Sequence, residues 1–195
     1  VFLAKFCPKH LYKFLKPAVD LLAGIPSIVY GFFGLVVIVP AMQNIFGGSG
    51  KSVLTASVML GIMILPTIIS VSEAAIRAVP ESYYEGALAL GATHERSTFK
   101  ATLPAAKSGI TAGVILGIGR AIGEAMAVNM VAGNQAVIPT SIFSGVRTLT
   151  SNIVLEMGYA TDLHREALIA TSVVLFVFIL IINLLFSLVK KENKK

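Results

Sequence analysis

Residues 167–189 read ALIATSVVLFVFILIINLLFSLV, twenty-three uncharged residues between Glu166 and Lys190. A bilayer-crossing helix needs roughly 20 predominantly apolar residues, so this stretch by itself assigns the chain to a membrane. The composition agrees: 55% of the 195 residues are hydrophobic and 13% are charged, with a mean hydropathy of +0.82. A soluble domain needs a more charged surface than that. Upstream, Asp20 and Lys51 enclose thirty uncharged residues, and Lys51 and Glu73 enclose twenty-one. A fourth block, 108–133, qualifies if its single charge pair is tolerated. The expected fold is all-α and integral to the membrane, one transmembrane domain over 1–195, with spans at about 18–42, 52–72, 108–133 and 167–189.

The basic residues give these spans a direction. Lys5, Lys9, Lys13 and Lys16 precede the first, Arg77, Arg96, Lys100 and Lys107 lie between the second and third, and Lys190, Lys191, Lys194 and Lys195 follow the fourth. Only Lys51, Arg147 and Arg165 fall in the other two connections. Cytoplasmic loops collect Lys and Arg, so 73–107 and the C-terminus are expected inside and 134–166 outside. The net charge of +6 is thereby explained by orientation, with no nucleic acid implied. Val1-Phe2-Leu3-Ala4 has neither a Met nor a charged n-region, so it is no signal peptide. It is expected to be the tail of an earlier span in an N-terminally truncated chain. Lone Cys7 offers no internal disulfide, and His10, His94 and His164 have no ligand spacing, so no metal site is expected.

Local signals refine the picture. Residues 5–20, which include CPKHLYKFLKPAVD, read as an interfacial helix whose lysines meet lipid headgroups. In GIPSIVYGFFG (24–34), Pro26 removes a backbone donor, and Gly24, Gly31 and Gly34 permit close helix approach. Pro66 is expected to bend the second span. GSGKS (48–52) is no phosphate-binding loop, since position 45, where that motif needs Gly, is Ile45. In 73–107, Pro80 suits a helix start, Gly91 a stop, and Thr93 with Glu95 a second start. Leu88 and Leu90, with Ala87, Ala89 and Ala92, form an apolar tip that wants a partner. Leu149, Ile153, Val154 and Met157 predict a short amphipathic helix, either a lid on the span ends or a docking surface.

The third block carries Gly109, Gly113 and Gly117, then Gly119 and Gly123, the spacing of a tightly packed membrane helix. Within it, GIGRAIGEAMA (117–127) places Arg120 and Glu124 four apart. On insertion scales each charge costs about 2.5–3.5 kcal/mol at the bilayer centre. On one helix face they would neutralise each other, which is the structural reading. Against it, Arg before Glu is the poorer order for an intrahelical pair, and apolar residues would pack there without desolvation. Intramembrane charges facing a bundle interior mark substrate paths. The guanidinium fork matches a tetrahedral oxyanion, so Arg120 and Glu124 are expected to line an anion path, with Glu124 holding the guanidinium between anions. An enzyme using Glu124 would need a second catalytic group in the spans, so no catalytic residue is assigned.

Glu85-Gly86-Ala87, three residues, Gly91, nine residues, then Ala101-Thr102-Leu103-Pro104 resembles the EAA loop of ABC importer permeases. Gly86 and Ala101 depart from the usual Ala and Ile. The earlier Glu73-Ala74-Ala75 is a decoy, because Val79 stands where its Gly would be. LLAGIPSIVYGFFGL, LPAAKSGITAGVILGIGRAIGEAMAV and NMVAGN resemble the phosphate-specific permeases of PstC type. That resemblance implies a MetI-like permease with six spans, of which these would be the last four. It implies a transport subunit, not an enzyme, that imports inorganic phosphate across the cytoplasmic membrane. Its implied partners are a PstA-type permease subunit, a PstB-type ATPase dimer carrying ATP and Mg, and an extracytoplasmic phosphate-binding protein. Glu85, Gly86, Ala87, Gly91, Leu103 and Pro104 would couple to the ATPase, and Arg120 and Glu124 fall on the family's charged positions. A permease for sulfate, molybdate or phosphonate is the alternative, and a purely structural membrane subunit would leave the loop without a use.

Overall fold

The structure, a computed structural model, describes residues 1–192. The anchor expected at Lys194 and Lys195 lies outside the described residues. Helices follow one another with no strand among the described residues, only an isolated bridge between Gly133 and Val146. They are α1 (Lys9–Gly24), α2 (Ser27–Phe33), α3 (Val39–Phe46), α4 (Val53–Arg77), α5 (Glu81–Ala89), α6 (His94–Ser97), α7 (Leu103–Ala105), α8 (Lys107–Ile122), α9 (Met126–Val131), α10 (Leu149–Glu156) and α11 (Asp162–Glu192). Three helical runs are long and apolar enough to cross a membrane: Ser27–Phe46, Val53–Arg77 and Asp162–Phe186. A fourth would have to combine His94–Ala105 with Lys107–Ile122, which meet at a 66° bend.

Two expected helices change. The first membrane-length helix begins at Ser27, not near residue 18, because α1 ends at Gly24 and Pro26 is extended at φ −58, ψ 140. The residue before a proline is driven out of the helical region, so Ile25 cannot carry α1 onward. The block 108–133, expected as one helix, is two. Helix α8 stops at Ile122, residues 123–125 are not helical, and α9 restarts at Met126. Pro66 is buried within the unbroken α4.

Prolines also set a pattern that hydrophobic periodicity does not reveal. Wide π-helical turns occupy Phe2–Phe6, Gly34–Ile38 and Thr98–Thr102. Each ends two residues before a proline: Pro8, Pro40 and Pro104. A proline ring clashes with the carbonyl four residues back and has no N–H to offer it. In all three turns the residue before the proline reaches five residues back instead, Cys7 to Phe2, Val39 to Gly34 and Leu103 to Thr98. At Gly34–Ile38 and Thr98–Thr102 the widened turn moves the endangered carbonyl aside and lets the helix continue, whereas after Phe2–Phe6 the chain goes extended at Cys7.

The chain forms two compact units. One comprises Val1–Gly24, Leu65–Ile118 and the last helix from Leu185; the other comprises Ile25–Ile64 and Gly119–Leu184. In the first, Ile76, Val79 and Ala106 make a small core with Ala4, Leu103 and Ile110 packed on it. Gly109 and Gly113 press α8 onto α4: a Cβ at Gly109 would come within 2.5 Å of the Ala75 Cβ. In the second, Tyr30, Ile38, Val39, Met59 and Met63 enclose Ala127, Val128, Val131 and Ala132. Gly31 and Gly34 form the seat of α9. A Cβ at Gly31 would lie 2.9 Å from the Ala127 Cα, and one at Gly34 2.8 Å from the Val131 side chain. Glycine there is what lets the two backbones touch.

Candidate functional site

In the second unit the chain breaks at the charges the sequence singled out. Arg120 lies in the last turn of α8, where a cation suits the helix dipole. The backbone beyond it is loosely held, with Gly123 N–H donating to Gly119 O and Glu124 N–H to Ala121 O, both at 3.3 Å. Glu124 therefore does not share a helix face with Arg120, as the i, i+4 reading expects, because the helix has ended. Its Oε1 accepts the Ala127 N–H at 3.0 Å, which satisfies a first-turn donor of α9. Its carbonyl accepts the Thr150 hydroxyl at 2.9 Å. Arg120 is half-buried and within electrostatic reach of the buried Tyr30 phenol on α2. Tyr30 was legible only as part of a membrane span; nothing in its sequence context marks a charge neighbour.

Beyond α9 the segment expected as 134–166 is held by polar contacts. Gly133 (φ +89) and Asn134 (φ +52) turn the chain in the left-handed region. Asn134 Nδ2 then donates back to Asn129 O at 2.8 Å. Arg147 donates to Asn134 O at 3.1 Å and pairs with Glu156 at 2.9 Å. The predicted short helix exists as α10, with Thr148 as its N-cap accepting the Ser151 N–H. Its buried face is not the apolar one, however. Thr150 and Ser151 are buried, while Leu149 and Val154 are exposed. Hydroxyl contacts, Thr150 to the Glu124 carbonyl and Ser151 to the Thr148 hydroxyl, take the buried positions while Ile153 and Met157 are half-buried.

The coupling residues proposed from the sequence sit in the first unit. Helix α5 starts after an extended Pro80 and ends in a full Schellman turn. Gly91 at φ +82 gives its N–H to Leu88 O, and Ala92 gives its N–H to Ala87 O. Thr93 then caps α6 by accepting the Arg96 N–H. Glu95 accepts its own backbone N–H and the Thr93 hydroxyl, which hold its carboxyl below the usual range. Glu85 and Gly86 are exposed, Ala87 half-buried, Leu103 packed on the core and Pro104 exposed. The turn displays Leu90, 91% exposed, at the tip. Ala87, Leu90, Gly91, Ala92, Arg96 and Lys100 line an open cleft of about 390 Å³.

Glu73, set aside as a decoy in the EAA register, is the most buried carboxylate of this unit at 5% exposure. It accepts the Tyr12 hydroxyl at 3.1 Å, pairs with Arg77, and lies 3.5 Å from Lys16. Lys16 also bonds Asp20 at 2.9 Å, and Ser70 donates to Asp20 at 2.7 Å. Lys5 pairs with Glu81 at 3.2 Å. So Lys5 and Lys16 serve protein carboxylates rather than lipid headgroups, while Lys9 and Lys13 stay exposed. The Lys16 hydrogen bond, then the Ser70 hydroxyl, hold Asp20 below its ordinary value. Burial opposes the Lys16 charge, but Asp20 and then Glu73 carry its pKa above the ordinary lysine value. A depressed carboxyl stabilises above its unfolded pKa and loses that contribution on acidification; a raised lysine stabilises below its unfolded pKa and loses it in alkali. The attachment of α1 to α4 should therefore be insensitive to pH from about 4 to about 10 and loosen on either side of that window. A fluorophore on Cys7 checks this, with anisotropy flat from about pH 5 to 9 and falling in stronger acid.

A family model described as "Binding-protein-dependent transport system inner membrane component" matches residues 1–195. The chain is 43% identical to the probable ABC transporter permease protein YqgH of Bacillus subtilis (strain 168), over 96% of this chain and 63% of that protein. It is 37% identical to the phosphate transport system permease protein PstC of Mesorhizobium japonicum, over 93% of this chain and 62% of the relative. The PstC of Pasteurella multocida is 34% identical over 100% of this chain and 69% of its own length. The chain thus spans 63% and 62% of the first two relatives. No solved structure matches it.

Proposed function

The chain belongs to the binding-protein-dependent transport system inner membrane component family, and we propose that it serves as the permease subunit of an ATP-driven importer of inorganic phosphate. Membership and its apolar helices make it a multi-pass membrane protein. The single observation that carries the anion reading is a half-buried guanidinium, Arg120, at a helix end next to a break in an otherwise apolar segment. The likeness to permeases named for phosphate transport supports phosphate among the oxyanions.

In this reading 73–107 faces the cytoplasm and 134–166 the outside. A separate ATPase dimer binds ATP and Mg and grips α5 and the Leu90 tip. Its closure moves the coupling segment and turns the helices outward-facing. An extracytoplasmic binding protein releases phosphate into the opening, where Arg120 offers a bidentate partner midway. A PstA-type subunit completes the path. The anion must also leave, so binding has to stay weak; the Glu124 carboxylate beyond the helix end keeps the local potential from becoming a deep trap. ATP hydrolysis on the partner restores the inward-facing state, and this chain performs no chemistry of its own.

A permease for sulfate, molybdate or phosphonate would use the same parts. Uptake of labelled phosphate by the full-length complex in proteoliposomes, with each of these anions in excess, separates the readings. Unlabelled phosphate is expected to suppress uptake by about tenfold at a tenfold excess, and the others to have little effect. Absence of phosphate uptake, or equal competition by sulfate, would refute the assignment.

A further inference from the structure

The break between α8 and α9 is tied to α10 by one hydroxyl. Thr150 is 9% exposed, and its Oγ1 donates to the Glu124 carbonyl at 2.9 Å. It lies 3.0 Å from the Thr148 hydroxyl, the group that caps α10. On one side of the break α9 is closely seated, its backbone at Ala127 against Gly31 and its Val131 side chain against Gly34. On the other stands the Arg120 end of α8. Between them are Gly123, around which a Cβ would meet nothing closer than 3.8 Å, and two backbone hydrogen bonds stretched to 3.3 Å. Such a segment opens more easily than either helix it joins. Helix α10 itself is braced by Arg147 through Glu156 and Asn134, so it moves as a piece with its loop.

We infer that Thr150 is a positioning residue whose hydroxyl transmits displacement of α10 to the Glu124 break and so to the bearing of Arg120 on the path. The inference rests on the reading of this chain as an importer permease whose 134–166 segment meets a binding protein. A protein seated on that segment pushes α10, Thr150 pulls the Glu124 carbonyl with it, and the loosely held backbone at 123–125 absorbs the change while α9 stays seated. Contacts with differential strength in two states are what a coupling element requires.

Thr150→Val keeps the volume and removes the donor; Thr150→Ser keeps the donor. Both are placed in the full-length complex in proteoliposomes, and ATPase rate and phosphate uptake are measured with and without saturating binding protein. Thr150→Val is expected to leave the ATPase rate without binding protein unchanged and to reduce both its stimulation and uptake by about 3- to 10-fold, the weight of one hydrogen bond. Thr150→Ser is expected to restore both. Stimulation by Thr150→Val equal to wild type overturns the tether. Equal losses in both variants, with the unstimulated rate or assembly falling too, also overturn it, since Thr150 would then be packing only. Stimulation is read without reference to the anion, so a wild-type complex that is stimulated yet takes up no phosphate overturns the phosphate assignment and leaves the tether to be judged from the ATPase.

Discussion

Arg120→Gln is expected to lower phosphate uptake by the full-length complex by about 10- to 100-fold with the amount of assembled complex unchanged. A hydrogen bond to a charged group is worth about 1.5–3 kcal/mol, which converts to that range at about 1.4 kcal/mol per decade. Glutamine keeps helix propensity close to that of arginine. The loss of a favourable dipole contact in the last turn of α8 costs about 0.3–1 kcal/mol, and the amide of glutamine can still donate a hydrogen bond. Arg120→Lys keeps the charge without the fork and should fall between the two. Glu124→Gln separates charge from structure, because an amide oxygen can still accept the Ala127 N–H that the carboxylate now accepts at 3.0 Å. Uptake is scored against complex quantified in the same membranes. If Arg120→Gln transports at the wild-type rate, the guanidinium is no part of the path.

How far the sequence carries is clearest at the places where it stops. Apolar blocks at 52–72 and 167–189 lie largely within the helical runs Val53–Arg77 and Asp162–Phe186, which pass their charged borders to Arg77 and back to Asp162. Gly91, Thr93 and Pro80 mark local backbone events, a left-handed cap, an N-cap and a helix start, and each appears where the residue chemistry places it. The break at 123–125 is different. Gly123-Glu124-Ala125 carries no proline and its i, i+4 spacing to Arg120 reads as continued helix, yet the Glu124 carboxylate turns to the Ala127 N–H instead. What the spacing does not report is where α9 then packs, against Gly31 and Gly34 far away in the chain. The same holds for Glu73, whose role depends on Tyr12, Lys16 and Arg77 converging on it from two helices. The burial of Thr150 and Ser151 goes with hydroxyl partners, the Glu124 carbonyl and the Thr148 hydroxyl, that no periodicity reports. By contrast, the three wide turns each precede a proline, Pro8, Pro40 and Pro104, although Pro17 and Pro66 sit inside α1 and α4 without one.

Leu90→Asp is expected to weaken co-purification of the ATPase partner by at least about 10-fold and to reduce ATP-driven uptake in proportion, while α5 remains folded. Leu90 is 91% exposed, so its removal takes almost nothing from the packing of its own unit. Burying a leucine in a partner's cleft contributes about 1.5–3 kcal/mol. A carboxylate forced into the same place adds a desolvation penalty on top of that loss. The tip owes its shape to Gly91 at φ +82 and to the two carbonyls its turn satisfies. Gly91→Ala therefore makes the companion test: it leaves every exposed side chain in place and strains the backbone by about 1–2 kcal/mol. If docking depends on a shaped apolar tip, both changes weaken the complex, Leu90→Asp the more, and helicity by circular dichroism stays constant. Normal co-purification of Leu90→Asp would mean that the ATPase grips another face of 73–107, and the exposed tip would need a different partner.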